Sequence, residues 1–350
     1  MRAFKVEINP TREQAERIRQ AVGVTRFIYN FFIAHNQERH KEGKPFVSAN
    51  TFSKWLNNEF IPQNPEYIWI KSAPSKAVKQ AMVHCEKAFK KFFKGESGYP
   101  KFKKRQNQDT GIYLIGNDTS FEAQRHRIKI PLFGFVRLKE FGYIPTNAKV
   151  RSATITMRGG RYFISVLVDM TSMQLLPSEN PSDAIGVDLG IKDFAVCSDE
   201  TVCKNINKTS KKIKKLEARL VREQRKLSRK LRVRNKELTK TGETQTSKNI
   251  DKNSLILRKI HYKLSNMRQG HVKLFVNDLV RKDPEYIAIE DLNVSGVMRN
   301  RHLSKAIQKQ NFYFCRKFLE LRCGKMAIPL RVINRFYASS KTCSFCKHKH

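Results

Sequence analysis

The sequence predicts a multidomain α+β protein with a mixed α/β second half. Up to about residue 93, apolar residues recur every three or four positions, the spacing of an amphipathic helix. Between 111 and 170 they recur every second position, the spacing of strands with one buried face. Residues 171–182 carry Pro177, Pro181 and several turn formers, which predicts a domain boundary, and beyond it short strands alternate with long helices.

The elements follow in order. Phe4, Val6 and Ile8 predict a strand over 1–9 that ends at Asn9-Pro10-Thr11, a turn able to cap a helix. From Glu13, the positions Ala15, Ile18, Ala21, Val22 and Val24 predict a helix running into Phe27-Ile28-Tyr29-Asn30-Phe31-Phe32. Further helices are expected over 48–95, from Phe52, Trp55 and Leu56 and then Ala77, Val78, Ala81, Met82, Cys85, Phe89 and Phe92. The aromatic run 27–32 and the rings of Trp55, Trp69 and Phe89 read as packing, because helical spacing puts them on apolar faces. Gly95 to Pro100 closes that block.

Strands are then expected at 112–115, 128–130, 135–138, 153–156 and 162–168, with Arg158-Gly159-Gly160-Arg161 as a hairpin turn between the last two. After the boundary, 184–190 and 194–197 read as two strands around a tight turn. A strongly basic helix over 209–239, a loop at 239–244 and a second long helix should pair antiparallel. His271 falls in that seam and reads as an interfacial histidine rather than a ligand. A strand at 286–290 and a helix over about 303–323 complete the pattern.

Charge narrows the function. Sixty-nine Lys and Arg face 31 Asp and Glu, so the formal net charge is 69 − 31 = +38 over 350 residues. With 40% hydrophobic residues the chain has too much apolar content for a disordered basic tail. Its length allows more than one core. A polyanionic partner, nucleic acid first, is the economical reason for so much unpaired positive charge. No early apolar run approaches the ~20 residues of a membrane span, and residues 1–7 hold no secretory apolar region, so no membrane partner is expected. Seven scattered cysteines suit reduced thiols, hence the interior of the cell, with the nucleoid the natural place for so basic a chain.

Two acids stand out on apolar strands. Asp188 follows Ile185 and Val187, and Glu290 closes Tyr286-Ile287-Ala288-Ile289. A buried carboxylate is costly unless it is paired or binds a cation, so both read as candidate catalytic Mg²⁺ ligands for phosphodiester hydrolysis. The plainer alternative for either one alone is a strand-end acid in solvent or in an ion pair. Together, a strand carrying Asp and Leu-Gly, a hairpin partner and a later strand-borne Glu fit the ribonuclease H-like nuclease pattern.

At these residues the sequence resembles the TnpB family, the RNA-guided nucleases of IS200/IS605 transposons. The most specific stretch is Gly186-Val187-Asp188-Leu189-Gly190-Ile191-Lys192-Asp193-Phe194-Ala195. Further matches are Arg26-Phe27-Ile28-Tyr29-Asn30, Gly98-Tyr99-Pro100-Lys101-Phe102-Lys103-Lys104, Ile128-Lys129-Ile130-Pro131, Ile289-Glu290-Asp291-Leu292 and Ser340-Lys341-Thr342-Cys343-Ser344-Phe345-Cys346. The resemblance implies a β-barrel wedge domain (1–47 and 106–182) with an inserted helical recognition bundle (48–105). An RNase H-like (RuvC) α/β domain over 183–338 and an incomplete zinc ribbon over 339–350 would follow. Asp188 and Glu290 then look like the first two RuvC carboxylates. The implied partners are a guide RNA, from the transposon end or an adjacent locus, and target double-stranded DNA with a short adjacent motif. Ser75, Lys79 and Asn117 are the candidates for reading that motif, and the sequence departs from better-known members at the first two.

Cys343-x-x-Cys346 is half of a Zn²⁺ site, since a structural zinc needs four ligands. His348 and His350 could complete it only at very tight spacing, so free thiols or a weakly held metal are expected. In the family a third aspartate follows. Without it, the expectation is a protein that acts by target occupancy as a transcriptional repressor, not as an enzyme, resembling nuclease-dead TnpB-like repressors. The alternative is an active Mg²⁺-dependent RNA-guided DNA endonuclease, and an RNA chaperone without DNA targeting is a third reading. Lys101, Lys103 and Lys104, with Lys211, Lys212, Lys214 and Lys215, are the candidate phosphate contacts, because clustered cations release counterions from nucleic acid without reading its sequence.

Overall fold

The computed structural model describes residues 1–104, 111–115, 121–146, 148–169, 180–241 and 248–334. Asn117, Cys343, Cys346, His348 and His350 lie outside the described residues. The chain divides into two compact units, 1–172 and 173–350.

The first unit starts with strand β1 (Arg2–Asn9) and helix α1 (Arg12–Lys41). Thr11 caps α1 reciprocally: the Gln14 amide N–H donates to Thr11 Oγ1 at 3.2 Å, and the Thr11 N–H donates to Gln14 Oε1 at 3.0 Å. Helix α2 (Ala49–Trp55), a π-helical turn (Leu56–Phe60), α3 (Ile61–Gln63) and a 3₁₀ stretch (Pro65–Ser72) lead into α4 (Ser75–Phe93). Strands β2 (Ile112–Ile115), β3 (Glu122–Ala123), β4 (Arg127–Ile130), β5 (Gly134–Leu138), β6 (Val150–Arg158) and β7 (Arg161–Val168) follow. They form a seven-stranded antiparallel sheet in the order β2-β6-β7-β1-β5-β4-β3, so the first strand lies in the middle. Gly159 and Gly160 both have positive φ, the conformation that a tight two-residue hairpin between β6 and β7 demands.

One continuous hydrophobic core joins the helices to the sheet. It runs from Phe4, Val6 and Ile8 through Ile28 and Phe32 to Phe52, Met82, Ile155 and Ile164. Phe32 packs as its spacing predicts, meeting Phe52 edge-on at 5.1 Å, whereas Trp69 touches Phe27 at 4.9 Å but stays 41% exposed on the 3₁₀ stretch.

The second unit opens with β8 (Ile185–Leu189), β9 (Ala195–Cys197) and β10 (Val202–Cys203). The short α5 (Ile206–Thr209) precedes the long pair α6 (Lys211–Thr241) and α7 (Lys248–Arg281). Then come β11 (Ile287–Glu290), α8 (Val294–Val297), α9 (Ser304–Gln310), α10 (Phe312–Met326) and β12 (Leu330–Ile333). The sheet order is β10-β9-β8-β11-β12; the first three strands are antiparallel, and β8, β11 and β12 are parallel. The C-terminal half of α7 (Val272, Val276, Leu279) and the inner face of α10 (Cys315, Leu319) share one core with the sheet.

Three expectations need correction. The single helix over 303–323 is two, because Asn311 adopts a left-handed conformation (φ 58°) that ends α9 and starts α10. His271 has left the α6–α7 seam. Its Nε2 lies 3.0 Å from the Lys204 carbonyl oxygen and its ring meets Phe194 edge-on, so it packs on the sheet. The third correction concerns the strand acids and belongs to the site.

Candidate metal centre and nucleic-acid interface

Strand alternation sets the faces of β8 and β11. Ile185, Val187 and Leu189 are buried, as are Ile287 and Ile289, so Gly186, Asp188, Ala288 and Glu290 occupy the opposite face. Asp188 is therefore exposed and Glu290 half-buried, not the desolvated acids that the apolar runs suggested. The apolar neighbours face the core and the acids do not. The ladder pairs Ile185 with Ile287, Gly186 with Ala288 and Val187 with Ile289. The next step of that register sets Asp188 beside Glu290 at the C-terminal ends of two parallel strands, roughly 4.8 Å apart by strand spacing.

Gly190 closes the turn that follows. Its N–H donates to the Phe194 carbonyl at 3.1 Å, and a Cβ there would come within 3.1 Å of the Asp193 carbonyl oxygen. The Leu-Gly after the aspartate thus fixes where β8 stops.

Beside Glu290 lies a cleft of about 450 Å³ lined by Leu189, Asn293, Phe312, Tyr313, Arg316 and Lys317 among others. Arg316 donates to Asp291 and, at 3.2 Å, to Glu320, while Lys317 reaches Glu320 at 2.8 Å. Hydrogen bonding to Asp291 pushes the Arg316 pKa upward. The carboxylates of exposed Asp188 and half-buried Glu290 are hard oxygen donors of the kind that Mg²⁺ takes, an ion that keeps several waters and binds one or two carboxylates. Among the described residues, no group of three or more His, Cys, Asp or Glu is arranged to hold a metal.

The basic residues separate into two kinds. On α6, Lys211, Lys212, Lys214 and Lys215 are all exposed, while Ile213 between them is fully buried against Ile260 and Leu264 of α7. Glu217 and Glu223 of this helix point the other way. Glu217 accepts from Arg268 of α7 at 2.6 Å and from Lys309 of α9 at 2.7 Å, and Glu223 accepts from the Asn253 amide at 3.0 Å. Glu217 and Glu223 anchor the helix, while Lys211, Lys212, Lys214 and Lys215 face solvent.

Lys101 and Lys104 are exposed, but Lys103 is half-buried and occupied. Its ammonium sits 3.7 Å from the centroid of the Tyr29 ring. Its N–H donates to Asn30 Oδ1 at 2.8 Å, and Asn30 Nδ2 donates to its carbonyl at 3.0 Å. Desolvation lowers the Lys103 pKa, while burial and a hydrogen bond to the Cys85 thiol push Tyr29 up to about 12. Tyr29 and Asn30 therefore dock the 99–104 segment, a role invisible to spacing because the partners lie 73 residues apart. Tyr29→Leu keeps apolar bulk but removes the π face. With a cation–π contact worth about 1 kcal/mol, tryptic cleavage after Lys101–Lys104 should quicken about fivefold. An unchanged digestion rate would show that the backbone clamp alone holds the segment.

Ser75 and Lys79 share an exposed face of α4, one turn apart at its N-terminus. Cys203 lies 3.4 Å from His271 Nε2, but burial pushes the thiol up to about 11 and the imidazole down, so neither is poised as a nucleophile–base pair. No helix among the described residues is long and apolar enough to cross a membrane.

Comparison with known proteins gives a consistent picture. Residues 1–45 match the IS605 OrfB helix-turn-helix domain, and residues 163–301 match the IS605 OrfB domain described as "Probable transposase". The chain is 27% identical over 364 residues to "Putative RNA-guided DNA endonuclease InsQ" of Escherichia coli (strain K12), covering 99% of this chain and 84% of that one. It is 26% identical over 351 residues to a "Putative RNA-guided DNA endonuclease" of Streptomyces pristinaespiralis, covering 99% and 80%. Its fold is similar to the protein in a "Cas12f1-sgRNA-target DNA complex" solved by cryo-EM, with TM-score 0.55, 16% identity and coverage of 97% of this chain and 76% of that one.

Proposed function

The chain belongs to the IS605 OrfB (TnpB) family, and from that premise we propose that it is an RNA-guided DNA-binding protein whose Asp188–Glu290 pair serves cleavage of the target. The observation that carries the reading is the register of β8 and β11, whose last pair, Val187 with Ile289, leaves Asp188 and Glu290 as the next residues on two parallel strand ends. The sheet order β10-β9-β8-β11-β12, three antiparallel strands followed by two parallel ones, is that of a ribonuclease H-like sheet and supports the assignment of 183–338 as a RuvC-like domain. The same reading assigns the antiparallel sheet to a wedge and the helices of 48–105 to target recognition.

Asp188 and Glu290 would hold Mg²⁺, which when bound activates water and stabilises the leaving oxygen of a phosphodiester. The chain's own contribution is position and charge. On this reading the ladder brings the two acid-bearing strand ends together, Gly190 ends β8, and Arg316, held between Asp291 and Glu320, walls the cleft beside Glu290. The exposed lysines of α6 supply the sequence-independent attraction for phosphate, and base pairing with a guide RNA would supply the sequence. Target occupancy without cutting is a second reading. It is favoured by the pair standing without a third carboxylate among the described residues, and a repressor would need no more than binding.

RNA of defined sequence should co-purify with the protein, and digesting it should abolish selective binding of matched duplex. Equal binding of matched and unmatched duplex by RNA-free protein would overturn the RNA-guided reading.

A further inference from the structure

Between the C-terminal ends of α1 and α4 lies a cleft of about 480 Å³. Its apolar lining is entirely aromatic: Phe46, Phe89, Phe92, Phe93 and Tyr99, with no aliphatic side chain among them. Phe89 is the buried floor. Phe93 is 62% exposed, Tyr99 41% and Phe46 39%, three exposed rings gathered around one cleft. The walls stand across the floor. Tyr99 meets Phe89 at 90° and 5.4 Å, and Phe46 meets Phe93 at 85° and 5.6 Å. Around the mouth stand His40, Lys41 and Lys44 with the amide of Gln37; Lys44 is ion-paired to Glu42 at 2.8 Å, and His40 and Lys41 are exposed.

We propose that this cleft captures one unpaired nucleotide of the bound RNA, its base stacked on the exposed rings and its phosphate facing the cationic mouth. The inference rests on the RNA-guided reading above. Aromatic walls give every base a π-face to stack on, and a volume of this size lies within the range of pockets that enclose small ligands. Single-stranded and looped RNA offers splayed bases, whereas a DNA duplex keeps its bases stacked. The rim selects against the other occupants of an aromatic groove. A second copy of a chain carrying +38 is repelled, and an apolar helix would find rings and cations where it wants aliphatic ridges.

The experiment uses the full chain with its co-purified RNA. Ultraviolet crosslinking followed by mass spectrometry should find a nucleotide adduct on the peptide holding Phe93 and Tyr99. Phe93→Ala and Tyr99→Ala should each weaken that RNA about tenfold, the loss of one stacked base. The slope of log K against log salt should stay unchanged, since stacking releases no counterions. Phe93→Trp should restore affinity, which a merely structural defect would not allow. Adducts only elsewhere, with undiminished affinity in both alanine variants, would overturn the pocket while leaving RNA guidance intact. No bound RNA at all would overturn both, and a dimer dissolved by Phe93→Ala would assign the cleft to a second copy instead.

Discussion

Asp188→Ala should abolish cutting of a matched duplex by the guided complex while leaving its occupancy of that duplex within about threefold. The loss follows from the geometry of β8 and β11. On the proposed reading the Asp188 carboxylate is one of two oxygen donors at the neighbouring ends of β8 and β11, so removing it halves the donor set and leaves Glu290 alone beside the cleft. Metal stabilisation of a transition state is worth several kcal/mol, on the order of a thousandfold in rate. Binding is spared because it comes from base pairing and from cations elsewhere, and an acid lost from a phosphate-facing site lowers repulsion. Glu290→Gln should behave alike, since it keeps the shape and removes the charge. The measurement is a nicking assay with Mg²⁺ or Mn²⁺ beside a filter-binding curve. If the unaltered chain leaves matched duplex uncut in both metals, the occupancy reading replaces cleavage. If Asp188→Ala still cuts at the parental rate, the pair is not the catalytic centre.

Most of this framework was legible in local periodicity. Apolar spacing placed every long helix, and strict alternation placed β1, β4 and β5, because each buries one face and the period records which. The edge strands β3, β10 and β12 were missed. The first two are two residues long, and β12 exposes most of its side chains, so none leaves a pattern of buried alternation. The break at Asn311 also escaped, since apolar spacing continues across it and only the backbone turns.

At the site, spacing suggested that Asp188 and Glu290 were buried because their neighbours are apolar. The structure shows why that inference fails. In a strand, apolar neighbours at i ± 1 belong to the other face, so an acid between them faces away from the core. What sequence could not supply was the register that brings the two acid-bearing strand ends together, a property of ladder pairing across about a hundred residues. The docking of Lys103 onto Tyr29 is of the same kind, a long-range contact hidden inside a run of lysines that reads as uniformly solvated.

Replacing Lys211, Lys212, Lys214 and Lys215 together by Gln should flatten the salt dependence of nucleic-acid binding by about 3 in the slope of log K against log salt. Each phosphate contact contributes roughly 0.7 to 0.9 to that slope, so four contacts give about 3. Over a fourfold rise in salt the parent should therefore lose roughly sixtyfold more affinity than the variant. The fold should survive, because none of the four side chains anchors α6. Ile213 does so from the buried side, and Glu217 holds Arg268 and Lys309. That division also makes the test selective. Ile213→Ala or Glu217→Ala should loosen α6 from α7 without preferentially changing the slope, whereas the four lysines should change the slope without lowering the melting temperature. A slope unaltered in the fourfold variant would mean that this end of α6 faces solvent in the complex, and the phosphate track would then have to run over other basic surfaces, with exposed Lys101 and Lys104 the next to test.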